Sequence, residues 1–256
     1  MATSSKQSPA WTSEDLQKDP HDHSQKSPRV REMFNAIAPA YDLNNTLHSF
    51  GRDRAWRKRT VSMCSVGSDS EVLDVACGTG ALSEAFLEAG AARVVGLDYT
   101  PGMLDIAREK ATRAQLGSSL EYVQGDAMDL PFEDSSFDVL SIAFGIRNVV
   151  DPSRAFAEFS RVLRPGGRLV VLEFAEPKNP LLRWGNAFYT RHIMPRTASL
   201  IAKDTSGAYK YLPKSIETFL TPSELREKIE AENFVMDQQV AMTFGVCVAS
   251  LAVRKP

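Results

Sequence analysis

Apolar positions along the chain change period repeatedly, and each change marks an element. Short apolar runs bounded by turn residues predict strands at 71–76, 93–98, 120–124, 137–143 and 168–174. Between and after them, 3.6-residue periodicity predicts helices at 81–89, 101–115, 152–163 and 222–232. Strands that alternate with helices build parallel βα units. Ahead of that alternation, Val30 to Ile37 and Arg54 to Cys64 read as helices on either side of an irregular stretch, Pro39 to Asn45. Near the other end, Phe234 to Ala241 and Phe244 to Val253 alternate as the arms of an antiparallel hairpin do. The pattern describes an α/β, doubly wound, Rossmann-like sheet with a terminal antiparallel hairpin. The interval 175–221 is too long for a simple connection, so it predicts a cap insertion. Residues 1–28 are polar, hold four acids and lack arginine; they read as a disordered tail before one domain spanning 29–256.

Composition narrows the classes. At 256 residues the chain holds one sizeable α/β domain, and 43% hydrophobic with 24% charged residues is ordinary for a water-soluble protein. A net charge of −2 disfavours a nucleic-acid partner, because phosphate binding needs concentrated Lys and Arg. Cys64, Cys77 and Cys247 form no Cys-x-x-Cys pair, which predicts a reducing compartment and no metal site. With no membrane-spanning run and no signal peptide, the expected location is cytoplasmic. One segment qualifies this. Leu181 to Lys203 carries Arg183, Trp184, Phe188, Arg191 and Arg196 without an acid, and such a stretch can lie on an anionic membrane or close over an apolar ligand. The first reading puts the protein at the inner face of the cytoplasmic membrane; the ordinary alternative to both is a cap helix packed on the sheet with a solvated basic face.

Chemistry enters at Val72-Leu73-Asp74-Val75-Ala76-Cys77-Gly78-Thr79-Gly80 and, one unit later, Val94 to Asp98. A strand, a small-residue turn and a helix, then a second strand ending in an acid, hold an adenine nucleoside at a sheet's switch point. Charge selects the nucleoside. A pyrophosphate wants bare amides at a helix N-terminus, whereas a sulfonium with a free ammonium wants carboxylates, and acids end three successive loops. The expected cofactor is S-adenosylmethionine. Asp74 would accept from its ammonium, Gly78 and Gly80 would let main chain approach it, and Asp98 would accept from the ribose diol, a role shared with NAD sites. Asp126 would accept from the adenine amino group, with Met103 packed on the ring. As ordinary alternatives, Asp74 and Asp98 are strand-end caps and Met103 is core.

The chain resembles the quinone-ring C-methyltransferases that make menaquinone and ubiquinone, a family with the class I S-adenosylmethionine-dependent methyltransferase fold. The resemblance runs from Val30 onward. Its specific pieces are Phe34-Asn35-Ala36-Ile37-Ala38-Pro39-Ala40-Tyr41-Asp42, Phe144-Gly145-Ile146-Arg147-Asn148-Val149, Leu172-Glu173-Phe174, His192 with Pro195-Arg196, and Tyr209-Lys210-Tyr211-Leu212. It implies methyl transfer to a ring carbon of a prenylated hydroquinone, demethylmenaquinol or the ubiquinol precursor, and places cofactor contacts on Thr79, Asp98, Asp126 and Ala127. At Ala143 the family often has serine. Ala76 replaces a common glycine, which is tolerated if its φ stays negative.

An oxidised quinone is electrophilic, so the acceptor must be the hydroquinone, whose ring carbon becomes nucleophilic as a hydroxyl proton leaves. The resemblance gathers Arg147, Asn148 and Tyr41 around that ring. A guanidinium keeps its proton, so Arg147 would stabilise the phenolate, while Asp42, Tyr41 and His192 are candidates for proton removal. Ordinary roles compete with these: Arg147 paired with Asp151 or oriented by Glu173, Tyr41 as packing. Other acceptors (a sterol, another isoprenoid, a phenol), a non-catalytic member of a quinone-synthesis complex, and hydride transfer remain as alternatives, and a homodimer is open.

Overall fold

The computed structural model describes residues 9–256 apart from Lys203 and Thr205, so Lys203 of the basic segment and residues 1–8 of the expected tail lie outside the described residues. Apolar runs form the sheet: β1 (Glu71–Val75), β2 (Arg93–Asp98), β3 (Leu120–Gln124), β4 (Phe137–Ala143), β5 (Leu163–Phe174), β6 (Phe234–Met242) and β7 (Cys247–Arg254). Their order is β3-β2-β1-β4-β5-β7-β6, with β7 antiparallel to both neighbours. Two apolar clusters, one led by Leu73, Phe156 and Phe159 and the other by Val72, Phe86 and Val170, share out the alternate residues of the central strands. Burial on both faces explains why these strands read as continuous apolar runs. The order reverses between β1 and β4, and their C-terminal ends, with that of β2, frame the crevice where such sheets bind ligands.

Helices α4 (Ala81–Glu88), α5 (Pro101–Arg113), α6 (Pro152–Val162) and α10 (Pro222–Ala231) flank the sheet. Their starts are encoded locally. Asp151 accepts from the Ser153 and Arg154 amides ahead of Pro152, and Thr221 with Glu224 closes a capping box ahead of Pro222. Above the crevice lie α1 (Lys26–Ile37), α2 (Tyr41–His48) and α3 (Arg52–Met63), with α7 (Pro180–Phe188), a π-helical turn at Tyr189–Ile193, α8 (Met194–Ala202) and α9 (Ala208–Glu217) from the long interval.

Two expectations are corrected. The stretch 39–45 is not irregular: Pro39 belongs to a single 3-10 turn at Ala38–Ala40, after which α2 begins. Its polar residues are turn-like in isolation, but Asn44 is buried and donates to the Tyr209 hydroxyl of α9 (2.7 Å), so tertiary packing overrides local preference. Nor is the described part of the 1–28 segment a tail. Trp11 is 1% exposed and stacks on Tyr211 with centroids 4.7 Å apart, its amide donates to the Ser206 carbonyl, and Arg29 binds Asp15 and the Ala10 carbonyl. One large aromatic anchors a segment whose average composition is polar.

Candidate active site

The loops after β1, β2, β3 and β4 line a cleft. Asp98 lies at its centre, the Oδ2 atom accepting from the Gly78 amide and Oδ1 from the Thr100 amide, both at 2.8 Å. Burial pushes this carboxyl up, against the pull of those amides. Gly78 has φ +56°, and space around its Cα is open except for Tyr41 at 3.8 Å from where a Cβ would stand. Met103, Asp126, Ala127 and Ala143 line the same cleft, with Asp126 held by the Met128 amide at 2.9 Å. No Lys, Arg or His is among the lining residues. An uncompensated acid beside bare main chain fits a cationic methyl donor and not a pyrophosphate.

Ala76 and Phe144, on facing loops of this cleft, have φ +52° and +55°. Ala76 therefore adopts the left-handed conformation, contrary to the negative φ expected, and a Cβ on Gly145 would come within 2.5 Å of its methyl carbon.

Five expected residues turn elsewhere. Asp74 is 1% exposed behind the first loop, its two oxygens accepting from Ser83 (2.6 Å) and Ser141 (2.7 Å), and burial raises its pKa to about 6. It forms a structural bolt between β1, α4 and β4. Gly80 is glycine because a Cβ would collide with the Tyr122 ring. The Thr79 hydroxyl donates to Asp42 (2.6 Å), which also accepts from Lys110 (3.2 Å) on the outer side of the loop. Asp42 thus faces away from the reacting centre. His192 is exposed, its ring against Phe188.

A second cavity adjoins the cleft through the shared walls Phe34, Tyr41 and Phe144. It is walled by Trp56, Phe174, Tyr189, Tyr209 and Tyr211, and Arg147 reaches into it. Arg147 is 4% exposed; its Nη1 donates to Glu173 and to the Phe144 carbonyl, both at 2.7 Å, and the guanidinium lies over the Phe174 ring. Asp151 is occupied as a helix cap, so Glu173 is the partner. Arg147 Nε is buried with no hydrogen-bond acceptor. Asn148 accepts from the Tyr211 hydroxyl (3.0 Å) and borders the cofactor side. Burial pushes the Tyr41 hydroxyl up, so it keeps its proton.

Three residues of α2 face this cavity at i, i+4 and i+7: Tyr41, Asn45 and His48. Sequence reasoning misses His48 because the first part of the helix that presents it, 41–45, reads as irregular. The helical spacing was the signal.

The model of the ubiE/COQ5 methyltransferase family matches residues 22–254. The chain belongs to that family. Relatives agree: a demethylmenaquinone methyltransferase of Deinococcus radiodurans is 42% identical over 226 residues, 88% of this chain and 92% of that one, and its Thermus thermophilus namesake is 42% identical over 87% and 100%. The ubiquinone/menaquinone biosynthesis C-methyltransferase UbiE of Campylobacter jejuni is 39% identical over 90% and 99%. Solved structures share the fold: a SAM-dependent methyltransferase from Aquifex aeolicus has a TM-score of 0.59 at 18% identity, covering 83% of this chain and 97% of that one. The cyclase SpnF reaches 0.68 at 16% identity, covering 90% and 96%. This ubiE/COQ5 member has the class I Rossmann-like fold and uses S-adenosylmethionine, for which the acid-lined cleft is suited.

Proposed function

We propose that the chain transfers the methyl group of S-adenosylmethionine to a ring carbon of a prenylated hydroquinone, demethylmenaquinol or the ubiquinol precursor. The observation that carries this is the aromatic cavity that opens on the cofactor cleft and holds a buried guanidinium with an unused N–H. Flat aromatic walls suit a quinol ring, and Arg147 supplies positive charge where a phenolate develops. Glu173 fixes that guanidinium, so no reorganisation is needed at the moment of transfer. Asp98, Asp126 and Met103 hold the donor, and Tyr41 with Phe144 stands at the passage between the two ligands. The names of the relatives support the same acceptor class.

The long helical interval acts as the cap and as a peripheral membrane contact. Helix α7 buries none of its residues, and Leu181 (74% exposed), Trp184 (68%) and Leu200 (78%) stand out beside Arg183, Arg191 and Arg196. Apolar side chains with basic neighbours suit an anionic bilayer that stores a prenylated substrate. Among the described residues no helix is long and apolar enough to cross a membrane.

The test is methylation of chemically reduced demethylmenaquinol, under anaerobic conditions, by the purified chain with labelled donor. Turnover is expected with the quinol and none with the quinone; transfer to neither would sink the acceptor assignment. In the same assay, Leu181→Ser with Trp184→Ser should slow turnover of vesicle-embedded quinol several-fold and leave detergent-dispersed quinol unaffected; equal effects on both would remove the membrane contact.

A further inference from the structure

His48 ends α2 and lines the acceptor cavity. Its Nδ1 atom lies 3.0 Å from the Tyr189 hydroxyl oxygen, and that oxygen lies 3.3 Å from the His48 carbonyl oxygen. A phenol has one proton to give. If Tyr189 donates to the carbonyl, its oxygen accepts from Nδ1–H and both contacts are bonded; if it donates to Nδ1, two acceptors are left facing each other at the carbonyl. The bonded arrangement puts the imidazole proton on Nδ1 and a lone pair on Nε2. The Nε2 atom is buried and has no partner. Desolvation lowers the ring's pKa, which favours this neutral form.

Among the other charged and titratable side chains that line the cavity, each acceptor is already engaged or carries a proton that it can donate to a quinone carbonyl. Asp53 is taken by Ser49 (2.9 Å) and Arg57 (2.7 Å). Tyr41, Tyr209 and Tyr211 are held protonated by burial, and Arg147 only donates. Donors of this kind serve a quinone carbonyl as readily as a quinol oxygen.

We propose that His48 determines the redox specificity of the acceptor site: Nε2 accepts a hydrogen bond from a hydroxyl of the hydroquinone and meets only lone pairs when the oxidised quinone enters. The inference rests on the hydroquinone reading above and deepens it. A site built to pair a substrate hydroxyl discriminates against an analogue lacking that proton, because its buried polar atom is then left unpaired. The discrimination matters for this chemistry: the quinone cannot be methylated, yet its ring and prenyl chain would otherwise occupy the cavity equally well.

The experiment is equilibrium binding of 2-prenyl-1,4-naphthohydroquinone carrying one isoprene unit, kept reduced by dithionite, and of its quinone, with S-adenosylhomocysteine present. The wild-type chain is expected to prefer the reduced probe by about tenfold or more. His48→Leu should bring the two affinities within about threefold, chiefly by weakening the hydroquinone, with S-adenosylhomocysteine affinity unchanged. Tyr189→Phe, which frees the imidazole to change tautomer, should fall between. A preference that survives in His48→Leu overturns the proposal. Nitrogen chemical shifts of His48 in the wild-type chain provide a second reading that needs no variant: an unprotonated Nε2 supports the role, and an unprotonated Nδ1 ends it. If neither probe binds wild-type protein that still takes S-adenosylhomocysteine, the hydroquinone reading itself fails.

Discussion

The two halves of the site are built differently. In the cofactor half, successive loops at strand ends supply the acids, and main-chain amides hold them: Gly78 and Thr100 on Asp98, Met128 on Asp126. In the acceptor half, residues far apart in the chain meet across helices: Asn44 with Tyr209, His48 with Tyr189, Asn148 with Tyr211, and Trp11 stacked on Tyr211. The first half is fixed by the sheet and the second by side-chain packing. Damage to one should therefore leave the other's ligand bound, and the predictions exploit that separation.

The largest effect belongs to Arg147. Arg147→Ala should lower methyl transfer by about a thousandfold, the loss typical of a preorganised donor to developing negative charge, while S-adenosylhomocysteine affinity by calorimetry stays within twofold of wild type. It also strands the buried Glu173 carboxylate, so unfolding should come about 3–5 kcal/mol more easily. Replacing Glu173 by alanine as well should restore part of that stability and none of the turnover. Near-normal turnover in Arg147→Ala would mean that the acceptor half works without its guanidinium.

Next come the two acids near the C-terminal ends of β1 and β2. Asp98→Asn should weaken S-adenosylhomocysteine about tenfold to a hundredfold by calorimetry, as expected for hydrogen bonds to a charged acceptor, and Asp74→Asn should change it by less than about threefold. Equal losses would return Asp74 to the cofactor. Asp74 differs in pH response too. Folded, it holds its proton up to about pH 6, whereas the unfolded carboxyl releases it near 4, so between those values the folded chain binds more protons. Stability from this group is full below that window and falls as pH rises through it, by up to about 3 kcal/mol. Asp74→Asn should flatten that part of a denaturation profile taken from pH 4 to 6.

The same contrast explains what the sequence disclosed. Strand-end acids and loop glycines lie within a few residues of the crevice, so the sheet itself and the placement of Asp98, Asp126 and Met103 on the cleft were legible. Arg147 was too, because it lies in the loop just past β4, on a motif that the family resemblance covers. Residues carried on helices depend on phase. Asp42 is one step of about 100° from Tyr41 and so faces Thr79 and Lys110 instead of the cavity. His192 faces solvent, while Tyr189, three residues earlier on the π-helical turn, faces in. His48 was hidden by a helix whose polar residues looked like a loop, and Trp11 by the polar average of its neighbours. Asp74 misled differently: a strand-end acid can point behind the loop, toward two serines that only the fold brings together.

The smallest effect tests the cofactor half's strain. A non-glycine residue in the left-handed region costs about 1–2 kcal/mol, so Ala76→Gly removes that cost, while the added freedom of the unfolded glycine takes back about 0.5–1 kcal/mol. The net should be a stabilisation under about 1 kcal/mol by denaturant melts. Steric coupling gives a sharper signal than the single change. Gly145→Ala places a methyl 2.5 Å from that of Ala76 and 3.1 Å from Ile142, so alone it should destabilise clearly. In an Ala76→Gly background the first clash disappears and only the Ile142 contact remains, so a double-mutant cycle should show coupling of about 1 kcal/mol or more. Strict additivity would mean that the two loops are not pressed together as described, and that cleft strain is set elsewhere.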